Sequence, residues 1–278
     1  MNESFDGEYR RTSVTDPLRQ GDVLESTDKN VSMWERHLFV MTADCDFAHA
    51  KHHGRVTCIP LLVDVEYLAE LQLPRMRERI IRAQVKVLQK ILAEPGMPTI
   101  SDARLRGWPN DEPPSVIVSE RLKLVEPESE VAKSALDALL LLSNPATTLK
   151  EQFDQLVEAQ LRPANHQKRD SIAKGLRSEL QQTYSKTPGD ALFLSEIAPG
   201  HCLGYFAYLR HIEQVAEPEI ALRPGRQAVR YRRVSRLNER FTHALVQRFA
   251  MVFMAIGLPS DYEDMRDIYA ENLGALLS

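Results

Sequence analysis

The sequence predicts an α+β protein: a small β-barrel interrupted by a helical insertion and buttressed by a long C-terminal helix. Three observations carry that expectation. Strand-like stretches bounded by turn residues lie towards both ends of the chain, notably the apolar run His37–Phe47 and the later strand Gln227–Val234. Between residues 65 and 186 the apolar residues mostly recur at steps of three and four, the spacing of helices. Leu237, Phe241, Leu245, Phe249, Phe253 and Ile256 then form one apolar stripe, closed by Gly257-Leu258-Pro259. The expected division is therefore discontinuous. Residues 17–64 with 187–278 make the barrel and C-terminal helices, and residues 65–186 make a mainly helical insertion.

Residues 1–16 are polar and read as mobile. The turn-like Arg19-Gln20-Gly21-Asp22 leads into a short strand at Val23-Leu24, and Ser26–Asn30 is a loop. The stretch His37–Phe47, H-L-F-V-M-T-A-D-C-D-F, is a continuous apolar run that ends in two carboxylates around a thiol. Continuity rather than alternation implies a strand buried on both faces, delivering Asp44, Cys45 and Asp46 to the sheet edge. His49, His52, His53 and Gly54 mark a loop, and Arg55–Leu62 reads as the return strand. Pro60 favours an edge or a strand end, because it has no N–H to give a ladder.

Val65–Leu71 reads as a helical turn stopped by Pro74. Met76, Ile80, Val87, Leu88 and Ile91 give a helix over Arg75–Leu92, ended by Glu94-Pro95-Gly96. Met97–Pro114 holds Pro98, Gly107, Pro109, Pro113 and Pro114 and reads as a long loop around Trp108. Ser115–Val125 reads as a strand. Three helices follow: Val131–Leu142, one starting at a Thr148/Glu151 capping box, and one capped by Asp170 after a polar link over Pro163–Arg169. Sheet returns at Gly189–Ile197 and Leu203–Val215, with Pro224-Gly225 as the turn before Gln227–Val234. Ser260 and Glu263 have capping-box spacing for a last helix to about Leu277.

A chain of 278 residues, 43% hydrophobic and 27% charged, can bury a real core in one large domain or two modest ones. A net charge of −4 argues against a surface that binds polyanions overall. The N-terminus is polar, and no run approaches the length of a membrane span. Cys45, Cys58 and Cys202 are odd in number and lack paired spacing, which fits a reducing compartment. A soluble, cytoplasmic protein of bacterial style, with no membrane partner, is expected. No P-loop, dinucleotide glycine fingerprint, H-E-x-x-H, G-x-S-x-G or zinc-finger spacing is present.

Two groups of residues invite chemistry. In an extended chain Asp44 and Asp46 point to one side and Cys45 to the other, so the carboxylates could share a divalent cation. His49, His52 or His53 could complete a softer site with Cys45, or His49 could serve Cys45 as a base. The plainer reading is a strand that ends in exposed acidic residues. His201-Cys202 forms a second small His/Cys group, of unknown relation to the first. The other group is basic: Arg223, Arg226, Arg230, Arg232, Arg233, Arg236, Arg240 and Arg248, with Tyr231 among them. Such arginines could bind phosphates and an exposed Tyr231 could stack a base. Salt bridges to the acidic remainder of the chain are an equal alternative.

Arg19-Gln20-Gly21-Asp22-Val23, Asp44-Cys45-Asp46 and the helix Arg248–Pro259 with its G-L-P stop resemble a poorly characterised bacterial protein set. That set begins Q-G-D, carries C-D at the end of the next strand, and is associated with phage-defence or stress loci. The same opening is similar, more faintly, to the MazF/PemK-type toxin barrel, an SH3-like fold whose members cut RNA. The chain departs from that family after Asp44, is far longer, and offers no match to its catalytic Arg and Ser/Thr pair.

These readings lead to a non-catalytic binding or regulatory component of a phage-defence or stress-response system. It would contact nucleic acid or a defence-system protein partner through an SH3-like barrel and Arg226, Arg230, Tyr231, Arg232, Arg233 and Arg236. The alternative is a metal-dependent hydrolase or nuclease centred on Asp44 and Asp46, with Cys45 and His49 beside them and a divalent metal as cofactor. An assembly subunit that forms oligomers through its C-terminal helices is a further possibility.

Overall fold

The computed structural model describes residues 7–94, 99–161, 168–223, 229–254 and 265. It is α+β, with 52% helix against 18% strand, the strands gathered in a curled antiparallel half-barrel. The chain divides into two compact units. One comprises residues 1–61, 188–202 and 207–278, and the other residues 62–187 and 203–206. No helix among the described residues is long and apolar enough to cross a membrane.

The first unit holds the sheet. Its strands include β1 (Tyr9–Arg10), β2 (Asp22–Ser26), β3 (His37–Val40) and β4 (Arg55–Val63, whose last two residues group with the other unit). After the helical segment come β5 (Ala191–Leu194), β6 (Tyr205–Tyr208, whose first two residues group with the other unit), β7 (Glu213–Ala216), β8 (Ile220–Ala221) and β9 (Tyr231–Leu237). The order β1-β9-β2-β3-β4 is antiparallel throughout. β7 pairs antiparallel with β4, and β8 runs parallel beside β9. A register shift between Val23 and Leu24 interrupts the β2–β9 ladder, and such bulges increase local twist.

β3 is buried at every position, as its continuous apolar run requires. Leu24, Leu38, Val40, Val56, Cys58, Val215, Ile220 and Tyr231 pack into one core inside the curl. Burial pushes the Cys58 thiol well above its usual range, so it acts as a small apolar side chain. Pro60 faces Leu38 of β3 and lies beyond the Arg55–Cys58 stretch that β7 occupies. Helix α1 (Met33–Arg36) precedes β3, with Ser32 capping the N–H of Trp34.

The strand expected over His37–Phe47 is shorter than the apolar run implied. It ends at Val40, and α2 (Asp44–Ala48) begins three residues after Met41. Ala43 is the N-cap, and Asp44 and Asp46 sit in the first turn, where carboxylates favour the positive end of a helix.

The second unit is helical. α3 (Asp64–Tyr67) runs through a π turn (Leu68–Gln72) into α4 (Leu73–Leu92). Pro74 therefore does not stop a helix. It sits in the first turn of α4, directly after a widened turn, where its missing N–H and its ring cost least. Two more expectations are corrected here. Residues from the proline-rich stretch form α5 (Asp102–Asp111), capped by Ser101, with Leu105 and Trp108 buried. Ser115–Val125 is helical as far as Arg121 rather than a strand: α6 (Pro114–Val116) continues into a π turn over Ile117–Arg121, and residues 122–125 are irregular. Its β-branched run packs against Leu105, Trp108, Leu136 and Leu139, so tertiary burial overrides strand propensity.

α7 (Glu128–Ser143), α8 (Leu149–Gln160) and α9 (Arg169–Ser185) follow the expected spacing. The Thr148 hydroxyl accepts from the Glu151 N–H, as the capping box requires. Lys168, not Asp170, is the N-cap of α9; Asp170 lies in its first turn.

α10 (Glu239–Met254) belongs to the sheet unit and buries Thr242, Leu245 and Val252. Its stripe is not covered to the end, since Phe253 is 41% exposed. Ile256, the Gly257-Leu258-Pro259 stop and the expected last helix lie outside the described residues, as do Pro95-Gly96, Pro163–Gln167, Pro224-Gly225 and Gln227.

Candidate functional site

The Gln20-Gly21-Asp22 turn ties the sheet unit together. Gly21 has φ +91°, a left-handed conformation natural only to glycine. Its N–H donates to the Val40 carbonyl of β3 and its carbonyl accepts from the Leu237 N–H of β9. A Cβ at this position would stand 2.6 Å from the Thr242 hydroxyl of α10, so backbone and helix meet closely here. The Gln20 side-chain amide donates to the Met41 carbonyl, and its backbone N–H donates to Asp44 Oδ1 at 2.9 Å.

Asp22 is wholly buried and answers two arginines of β9. Arg236 Nε donates to Oδ1 at 2.6 Å and Nη2 to Oδ2 at 3.1 Å. Arg233 Nη1 lies 3.3 Å from Oδ2, and the Arg19 N–H donates to the same oxygen at 2.9 Å. Both arginines also donate to the Pro17 carbonyl, and Arg233 reaches Ser13. A buried charge must be paired and hydrogen-bonded, and these are paired, with the buried Arg233 Nε lacking a hydrogen-bond partner among the described residues.

Beside this turn is a small cleft of about 120 Å³, lined by Arg10, Arg19, Gln20, Asp44, Arg236, Leu237, Glu239, Thr242 and His243. The register builds it. Arg10 of β1 faces Arg236 of β9, which faces Asp22 of β2. Asp22 compensates Arg236. The guanidinium groups of Arg10 and Arg19 have no ion-pair partner among the described residues, and both side chains are exposed. The cleft thus brings together one acidic and one basic residue that the sequence placed in separate groups, Asp44 and Arg236.

The rest of those groups disperse. Asp44 and Asp46 lie two apart on a helix, where side chains diverge rather than share a cation. Cys45 is exposed, and its Sγ lies 3.8 Å from Asp46 Oδ1, with no histidine side chain hydrogen-bonded to it among the described residues. His49 is exposed at the end of α2. Among the described residues, no third side chain joins Asp44 and Asp46 in a metal-ligating group. His52 donates through one ring nitrogen to Glu217 at 2.8 Å and lies 3.1 Å from the Asp46 carbonyl through the other. Those bonds, Glu217 first, raise its pKa.

The arginine segment is mostly internal structure. Arg230 pairs with Glu35, and Arg232 grips Glu25 Oε2 through Nε and Nη2 at 2.9 and 2.7 Å. Tyr231 is 1% exposed and its hydroxyl is pushed up to about 12, chiefly by burial, so its ring cannot serve as the exposed stacking platform that the sequence implied. Arg226 lies outside the described residues.

Three residues that the sequence did not connect meet elsewhere in the unit: Glu25, His37 and His201. Glu25 and His37 are direct cross-strand partners on β2 and β3. His201 arrives from the Ala198–His201 turn, where Gly200 takes φ +79°. His201 Nε2 is 3.2 Å and His37 Nε2 3.9 Å from Glu25 Oε1, and the two rings meet edge to face. Burial would raise the Glu25 pKa, but the bonds from Arg232 and then His201 outweigh it and hold it below the ordinary value. Cys202 turns away, towards Glu196. His37 and His201 were visible in sequence, but Glu25 was one polar residue in a short strand, and only the strand register reveals the group.

No protein-family model, curated protein or solved structure matches the chain.

Proposed function

We propose that the protein is a non-catalytic binding or regulatory component of a bacterial phage-defence or stress-response system, and that it contacts nucleic acid through the cleft at the Gln20-Gly21-Asp22 turn. The observation that carries this reading is the pair of exposed guanidinium groups, Arg10 and Arg19, without ion-pair partners among the described residues, in a cleft that also holds the compensated Arg236 and the carboxylates of Asp44 and Glu239. Arg10 at the end of β1 and Arg19 in the turn before β2 suit phosphate oxygens, which fix register without demanding a base sequence. The resemblance of the Q-G-D, C-D and G-L-P segments supplies the biological setting. The same turn sits where a short antiparallel meander, β2-β3-β4, is closed by β9, which supports an SH3-like reading of the half-barrel.

A hydrolase centred on Asp44 and Asp46 has less support, because the two carboxylates diverge on α2 and gain no third ligand among the described residues. The cleft reading is tested by electrophoretic mobility shift with short DNA and RNA probes at low salt. The wild type retards a probe. Arg10→Glu/Arg19→Glu, folded by circular dichroism, weakens binding by about tenfold or more. Failure of the wild type to bind any probe would remove the nucleic-acid half of the proposal, and equal binding by the variant would move the contact away from the cleft.

A further inference from the structure

We propose that Glu25, His37 and His201 form a binding site for a divalent transition metal of the zinc class, separate from the arginine cleft. Each offers one ligand atom, and the three atoms lie within 4.8 Å of one another. Ligands about 2.0–2.1 Å from a tetrahedral ion stand roughly 3.3–3.5 Å apart. The separations of 3.2 and 3.9 Å from Glu25 Oε1 lie on either side of that spacing, and the remaining one, between the two imidazoles, is within 4.8 Å, so side-chain rotation would have to draw the histidines together to close the site.

The surroundings prepare each donor. Arg232 occupies Oε2 of Glu25 through two bonds, which leaves Oε1 turned to the imidazoles. His201 Nδ1 is 3.2 Å from the Pro199 carbonyl, the outer contact that orients metal-bound histidines. Both nitrogens of His201 then face oxygens that only accept, the Pro199 carbonyl and Glu25 Oε1. His37 is 6% exposed.

Two imidazoles and one carboxylate suit zinc and its neighbours, not magnesium or calcium, which take oxygen shells. The Glu25 and His201 side chains are 19% and 22% exposed, so water can reach them and could supply a fourth ligand.

The test uses the full-length, untagged protein, stripped with chelator and titrated with Zn²⁺ by calorimetry and with Co²⁺ by visible absorption. The expected result is one equivalent of either metal and cobalt bands of low-coordinate N/O geometry. His201→Ala and Glu25→Gln each weaken binding by about tenfold or more, whereas His49→Ala leaves it intact. His201→Gln, which keeps a polar side chain of similar reach, guards against loss of fold, and circular dichroism reads it. Absence of stoichiometric metal in the wild type, or wild-type affinity in folded His201→Ala and Glu25→Gln, would overturn the proposal.

Discussion

Arg236 and Asp22 form a buried ion pair across β9 and β2, with Nε 2.6 Å from Oδ1 and the two side chains 7% and 0% exposed. Arg233, 1% exposed in its side chain, shares the same carboxylate. One acid therefore holds two buried cations in register. Removing a single partner from such a group leaves charge uncompensated in a dry site, which costs more than the pair contributes. Asp22→Ala is expected to lower stability by about 3–5 kcal/mol, read as the shift in urea unfolding. A loss within the range of an exposed salt bridge would mean that water reaches the arginines.

Gly21 is constrained twice, by φ +91° and by the Thr242 hydroxyl 2.6 Å from where a Cβ would stand. Gly21→Ala is expected to cost about 2–4 kcal/mol, combining backbone strain with overpacking. Adding Thr242→Ala should recover the packing part and leave the strain. Chemical denaturation of the single and double variants separates the two, and full recovery in the double variant would assign everything to the clash.

His52 gives the sheet unit a pH dependence with a definite sign. Glu217 accepts from its ring at 2.8 Å, and Asp46 and the Phe47 ring are the other neighbours. Its folded pKa is raised, so folding favours the charged ring. The contribution is complete below the unfolded pKa of about 6.5 and is lost as pH rises through the folded value. The stability difference between wild type and His52→Gln should shrink on that rise. NMR titration should place His52 above the ordinary value, and Glu217→Gln should bring it back.

The helical unit was largely legible because burial there has a period. Met76, Ile80 and Leu88 on α4, and Ile172 and Leu176 on α9, are buried where the spacing put them. Ser115–Val125 misled because a short apolar β-branched run has no period to read, and α5 was hidden by the density of Pro and Gly around a sound Ser101 cap. The site was less legible for a different reason. Gln20, Gly21 and Asp22 were visible as a motif, but the partner of Asp22 lies 214 positions away. Glu25 meets His37 only through strand register and His201 only through a turn 176 positions on. Asp44-Cys45-Asp46 was read as extended, and one turn of helix changes which side chains converge.

The central claim is that Arg10 and Arg19, without ion-pair partners among the described residues, present their guanidinium groups to phosphate at the Gln20-Gly21-Asp22 turn. The most direct measurement is fluorescence polarisation of a labelled oligonucleotide from about 50 to 200 mM salt, for wild type and Arg10→Ala/Arg19→Ala. The account predicts that log affinity falls linearly with log salt in the wild type, and that the slope becomes shallower by about 2 in the variant, one for each lost contact. An unchanged slope in the variant, or no wild-type binding at the lowest salt, would contradict it.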